Sequence, residues 1–194
     1  MKILRLISFL SILLLTSLVI TSCSIKQPAK YKLGDISQRV SLKGGVFRLG
    51  SIRYLPAESG AAKPTQVVNL STLPGFGHDF NFDRPVSEIV SQALRAELRA
   101  AGAEELGTAK IIININIVEA SVDVRGLGYG GWRVFFHMRA RVMNAAGREL
   151  YARDFGRMTK TPGATSVWTD DMMVLIREAI EAFIADHEFG AVLN

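Results

Sequence analysis

The first 23 residues, MKILRLISFLSILLLTSLVITSC, place the strongest constraint on what this chain can form. Two basic residues, Lys2 and Arg5, precede an apolar run that extends to Ile20. A basic start, a short apolar run and small residues after it are typical of an export signal, and the run is too short to cross a bilayer comfortably. We therefore expect the chain to be exported and to fold without residues 1–22.

The end of this segment, Ile20-Thr21-Ser22-Cys23, resembles the bacterial lipobox, in which signal peptidase cuts before a cysteine that carries diacylglycerol. Cys23 is the only cysteine in the chain, so we predict that it is lipidated and would take up labelled palmitate. Several acyl chains on one residue would anchor the protein permanently. The alternative is an incidental thiol in a signal that is cut elsewhere. Ser24, rather than aspartate, follows the cysteine, which favours the outer membrane with the protein facing the periplasm.

Cleavage after residue 22 leaves 172 of the 194 residues, which suits one compact domain behind a tether. Residues 23–45 are polar and basic without a sustained period, so we interpret them as a lipidated N-terminus and spacer. Contact of the spacer's lysines with anionic lipid headgroups is the alternative interpretation. The domain is then 46–194, and a chain with one cysteine must rely on an apolar core instead of a disulfide.

The chain without its signal is only mildly basic. Its formal net charge of +5 falls to +3 when the two charges of Lys2 and Arg5 are removed. This surplus is compatible with acidic partners or with the membrane surface. It is too small to indicate nucleic-acid binding.

Apolar periodicity predicts the order β-α-β-β-β-α, with a possible short extended piece at 66–70. The predicted elements are a strand at 46–55, a helix at 85–101 capped by Asp83 and stopped by Gly102, strands at 109–125, 132–145 and 148–159, and a helix at 169–187. Both helices have one apolar stripe, and the strands alternate apolar and polar residues. We therefore expect an α+β two-layer sandwich with a mainly antiparallel sheet and both helices on one face. A right-handed crossover would make the first two strands parallel.

Two loops contain aromatic residues that are candidates for interaction. Phe76 and Phe80 lie in LPGFGHDFNFDRP, whose glycines and prolines prevent one regular face, so they either plug the core edge or dock a partner. Tyr129 lies in GLGYGG, which joins two strands and therefore lacks the following helix that phosphate-binding glycine loops need. This tip is either a plain connection or a contact loop.

Three arginines, Arg133, Arg139 and Arg141, alternate with apolar residues along the strand at 132–145. The alternation directs them to the uncovered face of the sheet. Charged residues on a strand can simply keep the edge of the sheet from pairing with neighbours. The second interpretation is a site for an acidic protein partner or an anionic envelope polymer.

No residues in the chain form a catalytic or metal-binding pattern. His78, His137 and His187 fall on a loop, a strand and a helix end without the spacing of metal ligands. The serines form no nucleophile elbow, and the only thiol is the one we expect to be acylated. Asp170 and Asp171 point about 100° apart on a helix, so they suit the helix dipole better than paired acid catalysis. We therefore predict a protein that is not an enzyme and has no cofactor.

The segment FGHDFNFDRPVSEIVSQALRAELRAAG, with the lipobox and the following long strand, resembles the YajG-like family of bacterial lipoproteins. More distantly it is similar to the auxiliary lipoproteins of envelope ABC transporters. The helix pattern R-x-V-x-x-x-V-x-x-A-L-x-x-E-L is matched by Arg84, Val86, Val90, Ala93, Leu94, Glu97 and Leu98. The resemblance implies an envelope lipoprotein with no established enzymatic activity, and it supplies no catalytic residues.

These features together favour a non-enzymatic module, anchored in the outer membrane, that binds another component of the cell envelope. The alternative is a lipid- or glycan-handling accessory subunit of an envelope transporter. That alternative needs a hollow or groove between the helices and the sheet, whereas a binding module needs a filled core and an exposed docking patch. The sequence contains no signal for the oligomeric state.

Overall fold

The computed structural model describes residues 25–71, 79–124, 132–161 and 168–193. Within these ranges the strands are β1 (Ile25–Gln27), β2 (Val46–Tyr54), β3 (Gln66–Asn69), β4 (Phe80–Phe82), β5 (Glu104–Glu105), β6 (Ile112–Val124), β7 (Trp132–Met143) and β8 (Glu149–Thr161). The helices are α1 (Ile36–Arg39), α2 (Leu55–Glu58), α3 (Val86–Ala100), α4 (Trp168–Ile184) and α5 (His187–Leu193).

The sheet is organised around its longest strands. β6 pairs antiparallel with β7, and β7 pairs antiparallel with β8. On its other side β6 pairs in parallel with β2 and, further along, with β3. Helices α3 and α4 pack on the sheet and on each other. The predicted α+β sandwich is confirmed, and so is the parallel pairing of the first long strand with the second.

Strand β6 contains a bulge that shifts its alternation by one residue. Ile113, Ile115 and Ile117 are fully buried before the shift, as the sequence predicts. The register with β7 is interrupted between Ile117 and Glu119, and the buried apolar positions after it are even-numbered, at Ala120 and Val122. An extra residue in one strand moves every later side chain to the opposite face of the sheet. The predicted alternation therefore holds for only the first half of β6.

Helix α3 carries the apolar stripe that the sequence predicts. Its buried residues are Val86, Ile89, Val90, Ala93, Leu94, Glu97 and Leu98. Gly102 follows it with a φ of +93°, which confirms the expected left-handed stop. The expected Asp83 cap is wrong, because Pro85 precedes the helix and no side chain caps it. The Asp83 carboxylate instead accepts the backbone N–H of Ala29 at 3.3 Å.

The second long helix is shorter than predicted. Its stripe is buried as expected, but α4 ends at Ile184, and α5 begins at His187. The cause is Asp186, whose Oδ1 accepts the backbone N–H groups of Glu188 at 2.9 Å and Phe189 at 3.4 Å. A carboxylate in this position satisfies the first N–H groups of a new helix, so it starts α5 instead of continuing α4.

Residues 25–42, which we call the strap, differ from the free spacer that composition suggests. β1 pairs in parallel with β4, and the backbone N–H of Leu42 donates to the carbonyl of Ala101 at 2.7 Å. The strap buries the side chains of Ala29, Ile36 and Leu42. These apolar residues are irregularly spaced, so they produce no period, yet they bind the strap to the domain.

Candidate anion-binding face

The side of β6, β7 and β8 that faces away from α3 and α4 is called the open face. In one row across the strands, Asn116 of β6 lies between Arg53 of β2 and Arg139 of β7, and Arg139 is paired with Asp154 of β8. Since adjacent strands lie about 4.8 Å apart, the two arginines of this row are roughly 10 Å apart at their Cα atoms. In the next row Arg141 is paired with Asn114.

A surface basin of about 320 Å³ lies on the open face. Its lining residues are Asn116, Arg139, Arg141 and Glu149. Both arginine side chains are exposed, so an anion could reach them without displacing part of the fold.

The two arginines of the basin differ in what they contact. The Arg141 Nε donates to Glu149 Oε2 at 2.6 Å, so this guanidinium is already oriented by a carboxylate. In the part of the chain that the structure describes, Arg139 has neither a hydrogen-bond nor an ion-pair partner. Its cross-strand neighbour Asp154 instead lies 3.4 Å from the Nε2 of His137. Arg139 therefore keeps all its donors available for an external anion.

The side chain of Asn114 lies at the border of the open face with β2 and contacts Ser51 of that strand. Its Oδ1 accepts the backbone N–H of Ser51 at 2.8 Å and the Ser51 hydroxyl at 3.1 Å. This contact lies where the register of β2 shifts between Leu49 and Ile52. The β2 backbone approaches so closely that a Cβ at Gly50 would lie 2.3 Å from the Asn114 Oδ1. Asn114 therefore has a structural role at the bulge, and Asn116 is the amide that faces the basin.

The arrangement suits a carboxylate or a phosphate. A planar guanidinium donates two parallel hydrogen bonds to either group, and a neighbouring amide can donate a further one. Arg53, in the same row, is occupied, because its Nε and Nη2 both donate to the carboxylate of Glu58. The site is exposed, so each single contact is weak, and appreciable affinity would require an anion that contacts several of these side chains together.

The structure separates the residues that the sequence proposed for interaction. Arg139 and Arg141 share the basin, whereas Arg133 lies six residues before Arg139 on β7, or roughly 20 Å along the strand. Arg133 is half-buried opposite Asp123 and Lys160.

Phe80 is half-buried in β4 and packs edge-to-face on Trp168, with ring centroids 5.4 Å apart. This contact favours the interpretation of Phe80 as a plug at the edge of the core, and its role in docking a partner stays a prediction. Phe82 packs on the same indole at 5.0 Å. Cys23, Phe76 and Tyr129 lie outside the described residues, and the predictions for them remain predictions.

Glu97, which the sequence placed only in the helix pattern of α3, is a buried carboxylate with a structural role. Glu97 is fully buried, and its Oε1 accepts the Tyr31 hydroxyl at 2.7 Å and the backbone N–H of Gly34 at 2.8 Å. Within the described ranges its Oε2 is buried without a hydrogen-bond partner. Burial, together with the bond to Glu97, raises the pKa of Tyr31 above its ordinary value. The only signal in the sequence is one glutamate in the apolar stripe of α3, and this glutamate fastens the strap.

Among the residues described, no group of histidine, cysteine, aspartate or glutamate is arranged to hold a metal ion. No helix in the same ranges has the length and apolar character needed to cross a membrane.

The fold has counterparts among solved structures. Protein XCC0632 from Xanthomonas campestris, of family DUF330, aligns over 88% of this chain and 95% of its own, with 11% identity and a TM-score of 0.56. A protein described only as uncharacterized aligns over 83% and 95%, with 12% identity and a TM-score of 0.46. Lipoprotein GNA1162 from Neisseria meningitidis aligns over 67% and 93%, with 10% identity and a TM-score of 0.37. The first similarity shows a shared fold.

No protein-family model matches the chain, and no curated protein matches its sequence.

Proposed function

We propose that this chain is a non-enzymatic lipoprotein of the YajG-like kind, anchored through Cys23 in the outer membrane. Its open face binds an acidic group on another protein of the cell envelope. The anchor is supported by the basic start, the short apolar run and the single cysteine at the end of that run. The binding role is supported by the geometry of the basin.

The observation that carries the binding role is the environment of the Arg139 guanidinium. This guanidinium is exposed and unpaired among the described residues, beside the Asn116 amide and an Arg141 already oriented by Glu149. Arginines that only protect a sheet against edge pairing need no such convergence on one basin. A carboxylate seated there would complete the hydrogen bonds of Arg139 and share Arg141 with Glu149.

The accessory role in transport of lipids or glycans has less support. Acyl chains need an enclosed apolar cavity. The cavity on the open face and two others of about 170 and 310 Å³ are all lined in part by charged side chains. The binding module therefore ranks first.

Photo-crosslinking of the full-length lipoprotein in cells tests the binding role. A photo-reactive amino acid replaces Ala152, which is exposed on β8 and paired with Arg141. We expect a discrete crosslinked partner that disappears with Arg139→Glu. The matched control is Arg148→Glu, which makes the same charge change in the exposed turn between β7 and β8 and should leave the crosslink intact. Equal crosslinking of both variants would refute the role of the basin.

Labelled palmitate tests the anchor separately. The wild type should carry the label, and Cys23→Ala should not. Equal labelling of the two proteins, or an unlabelled wild type, would rule out lipidation at Cys23.

A further inference from the structure

A second charged cavity, of about 170 Å³, lies between the strap and α4. It is lined by Lys30, Lys32, Asp170, Met173, Val174 and Arg177. Three of these side chains are cationic and one is acidic, so the cavity has a net positive charge. We call these residues, with Leu33, the strap patch.

The strap patch also exposes apolar side chains. Leu33, directly after Lys32, is 56% exposed, and Val174 is 37% exposed. Exposed aliphatic side chains with lysines and arginine around them are typical of surfaces that lie in the interface of a membrane, where the apolar groups meet acyl chains and the cations meet headgroups.

The strap patch has a fixed geometry because the strap is fastened on both sides of Lys30 and Lys32. The Tyr31 hydroxyl and the Gly34 N–H both donate to Glu97 of α3. The carbonyl of Ala29 accepts the Arg84 Nη2 at 2.8 Å. The two lysines and Leu33 therefore hold their positions beside α4 instead of moving with a loose tether.

The chain length before the strap brings this patch close to the proposed anchor. Ile25 pairs with β4 only two residues after Cys23, and two residues span at most about 7 Å. Lys30 lies seven residues after Cys23 and therefore within about 25 Å of it along the chain. A bilayer that holds the acyl chains of Cys23 is thus within reach of the strap patch.

We propose that the strap patch binds anionic phospholipid headgroups of the leaflet in which the protein is anchored. Lys30, Lys32 and Arg177 contact headgroup phosphates, and Leu33 enters the boundary between headgroups and acyl chains. This inference rests on the lipid anchor of the proposed function. It is independent of the basin on the open face.

Fluorescence quenching on the full-length lipoprotein in vesicles tests this contact. Leu33→Cys gives the only thiol available for a bimane label when Cys23 is acylated. Met158→Cys, at a 62% exposed position on the open face, is the matched control. In vesicles of phosphatidylethanolamine and phosphatidylglycerol with nitroxide-labelled lipid, we expect quenching at least several-fold stronger at 33 than at 158.

Charge variants separate headgroup binding from simple proximity. Lys30→Gln with Lys32→Gln should reduce quenching at 33 to the level at 158, as should vesicles without phosphatidylglycerol. The control Lys110→Gln, at another exposed lysine, should change nothing.

Equal quenching at 33 and 158, or quenching at 33 that ignores the charge variants, would overturn the proposed headgroup contact while the anchor stands. Reaction of bimane with Cys23 in the wild type would show a free thiol and overturn the anchor, and this inference with it.

Discussion

The hydroxyl of Tyr31 in the strap donates to Oε1 of Glu97, 2.7 Å away in the interior of the domain. Tyr31→Phe removes this donor and leaves a buried carboxylate oxygen with one bond fewer. We expect a loss of about 1 to 3 kcal/mol in the free energy of unfolding, the cost of an unsatisfied buried group. Urea titration measures it, and hydrogen exchange should rise across residues 25–42.

The control for this substitution is Leu33→Ala, two residues away at an exposed position. It should change the free energy of unfolding by only about 0.5 kcal/mol, as exposed substitutions usually do. A Tyr31→Phe protein as stable as the wild type would mean that the strap is held without Glu97.

Alkaline pH should also weaken the domain through Tyr31. Burial and the bond to Glu97 raise the pKa of this phenol, whereas in the unfolded chain it returns to about 10. Above pH 10 the unfolded state therefore loses a proton that the folded state keeps, and stability falls as pH rises. Burial raises the pKa of Tyr54 as well. Urea midpoints between pH 8 and 11 should fall less steeply in Tyr31→Phe, and parallel curves would contradict this linkage.

Leu94 tests the packing of α3 on the sheet. Its side chain is fully buried in the core. Leu94→Ala should cost about 2 to 5 kcal/mol, the range for emptying a leucine-sized core site. Arg141→Ala, on the open face, should cost about 0.5 kcal/mol because its ion pair with Glu149 is exposed to solvent. A Leu94→Ala urea midpoint equal to that of the wild type, or a collapse of Arg141→Ala, would disprove the assignment of faces.

A substitution at Gly50 tests the close approach of β2 to Asn114 at the bulge. A Cβ at this position would lie 2.3 Å from the Asn114 Oδ1 and 2.9 Å from the Ile112 Cγ2. Gly50→Ala should therefore displace Asn114 from Ser51 and cost about 1 to 3 kcal/mol, as overpacking does. At Gly107 a Cβ meets nothing within 4 Å. Thermal unfolding should show a clear drop for Gly50→Ala and a near-native midpoint for Gly107→Ala, and equal midpoints would exclude the clash.

Asp186 gives the domain an acid-sensitive contact. Burial raises the pKa of this carboxyl, but the N–H groups of Glu188 and Phe189 and the guanidinium of Arg153 outweigh burial and lower it below its ordinary value. The stability it provides is therefore present above about pH 4, the unfolded value, and is lost as pH falls through the lower folded value.

Two substitutions separate the helix cap at Asp186 from its charge. Asp186→Ala should cost about 1 to 2 kcal/mol at pH 7 through the lost cap. Asp186→Asn should keep the cap and flatten the acid dependence, measured by urea titration between pH 3 and 7. An Asn variant with the acid profile of the wild type would assign that dependence to other groups.

Local periodicity predicts the two long helices because each buries one regular stripe, such as Leu94 and Leu98 of α3. It fails at the bulge of β6, since inserting Val118 into the strand changes the phase without changing the local composition. It fails again in the strap, where Ala29, Ile36 and Leu42 are buried against residues distant in sequence. The bond from Tyr31 to Glu97 spans 66 positions, and no local pattern encodes such a contact.

Alternation along β7 correctly directs Arg139 and Arg141 to one face. Alternation does not predict that Glu149 contacts Arg141. This contact forms because the turn after β7 fixes the register of β8. Asn144 makes that turn, with its Oδ1 accepting the N–H groups of Ala146 at 3.0 Å and Arg148 at 2.9 Å. The sequence thus predicts some of the residues that line the basin. It does not predict that they lie together, because this depends on the register of three strands.

The outer side of α4 lies on the opposite side of the domain from the basin, which limits how far the surface potential of a membrane at α4 can act. Asp170, Val174 and Arg177 lie there, opposite the stripe of α4 that is buried toward the sheet. A leaflet in contact with this side is separated from Arg139 by the helix layer and the sheet, each about 10 Å thick. The surface potential of anionic lipids decays within about 8 Å at physiological ionic strength. In the proposed membrane contact, headgroups would therefore not compete for the basin, and its arginines would stay available to acidic groups that arrive from the aqueous side.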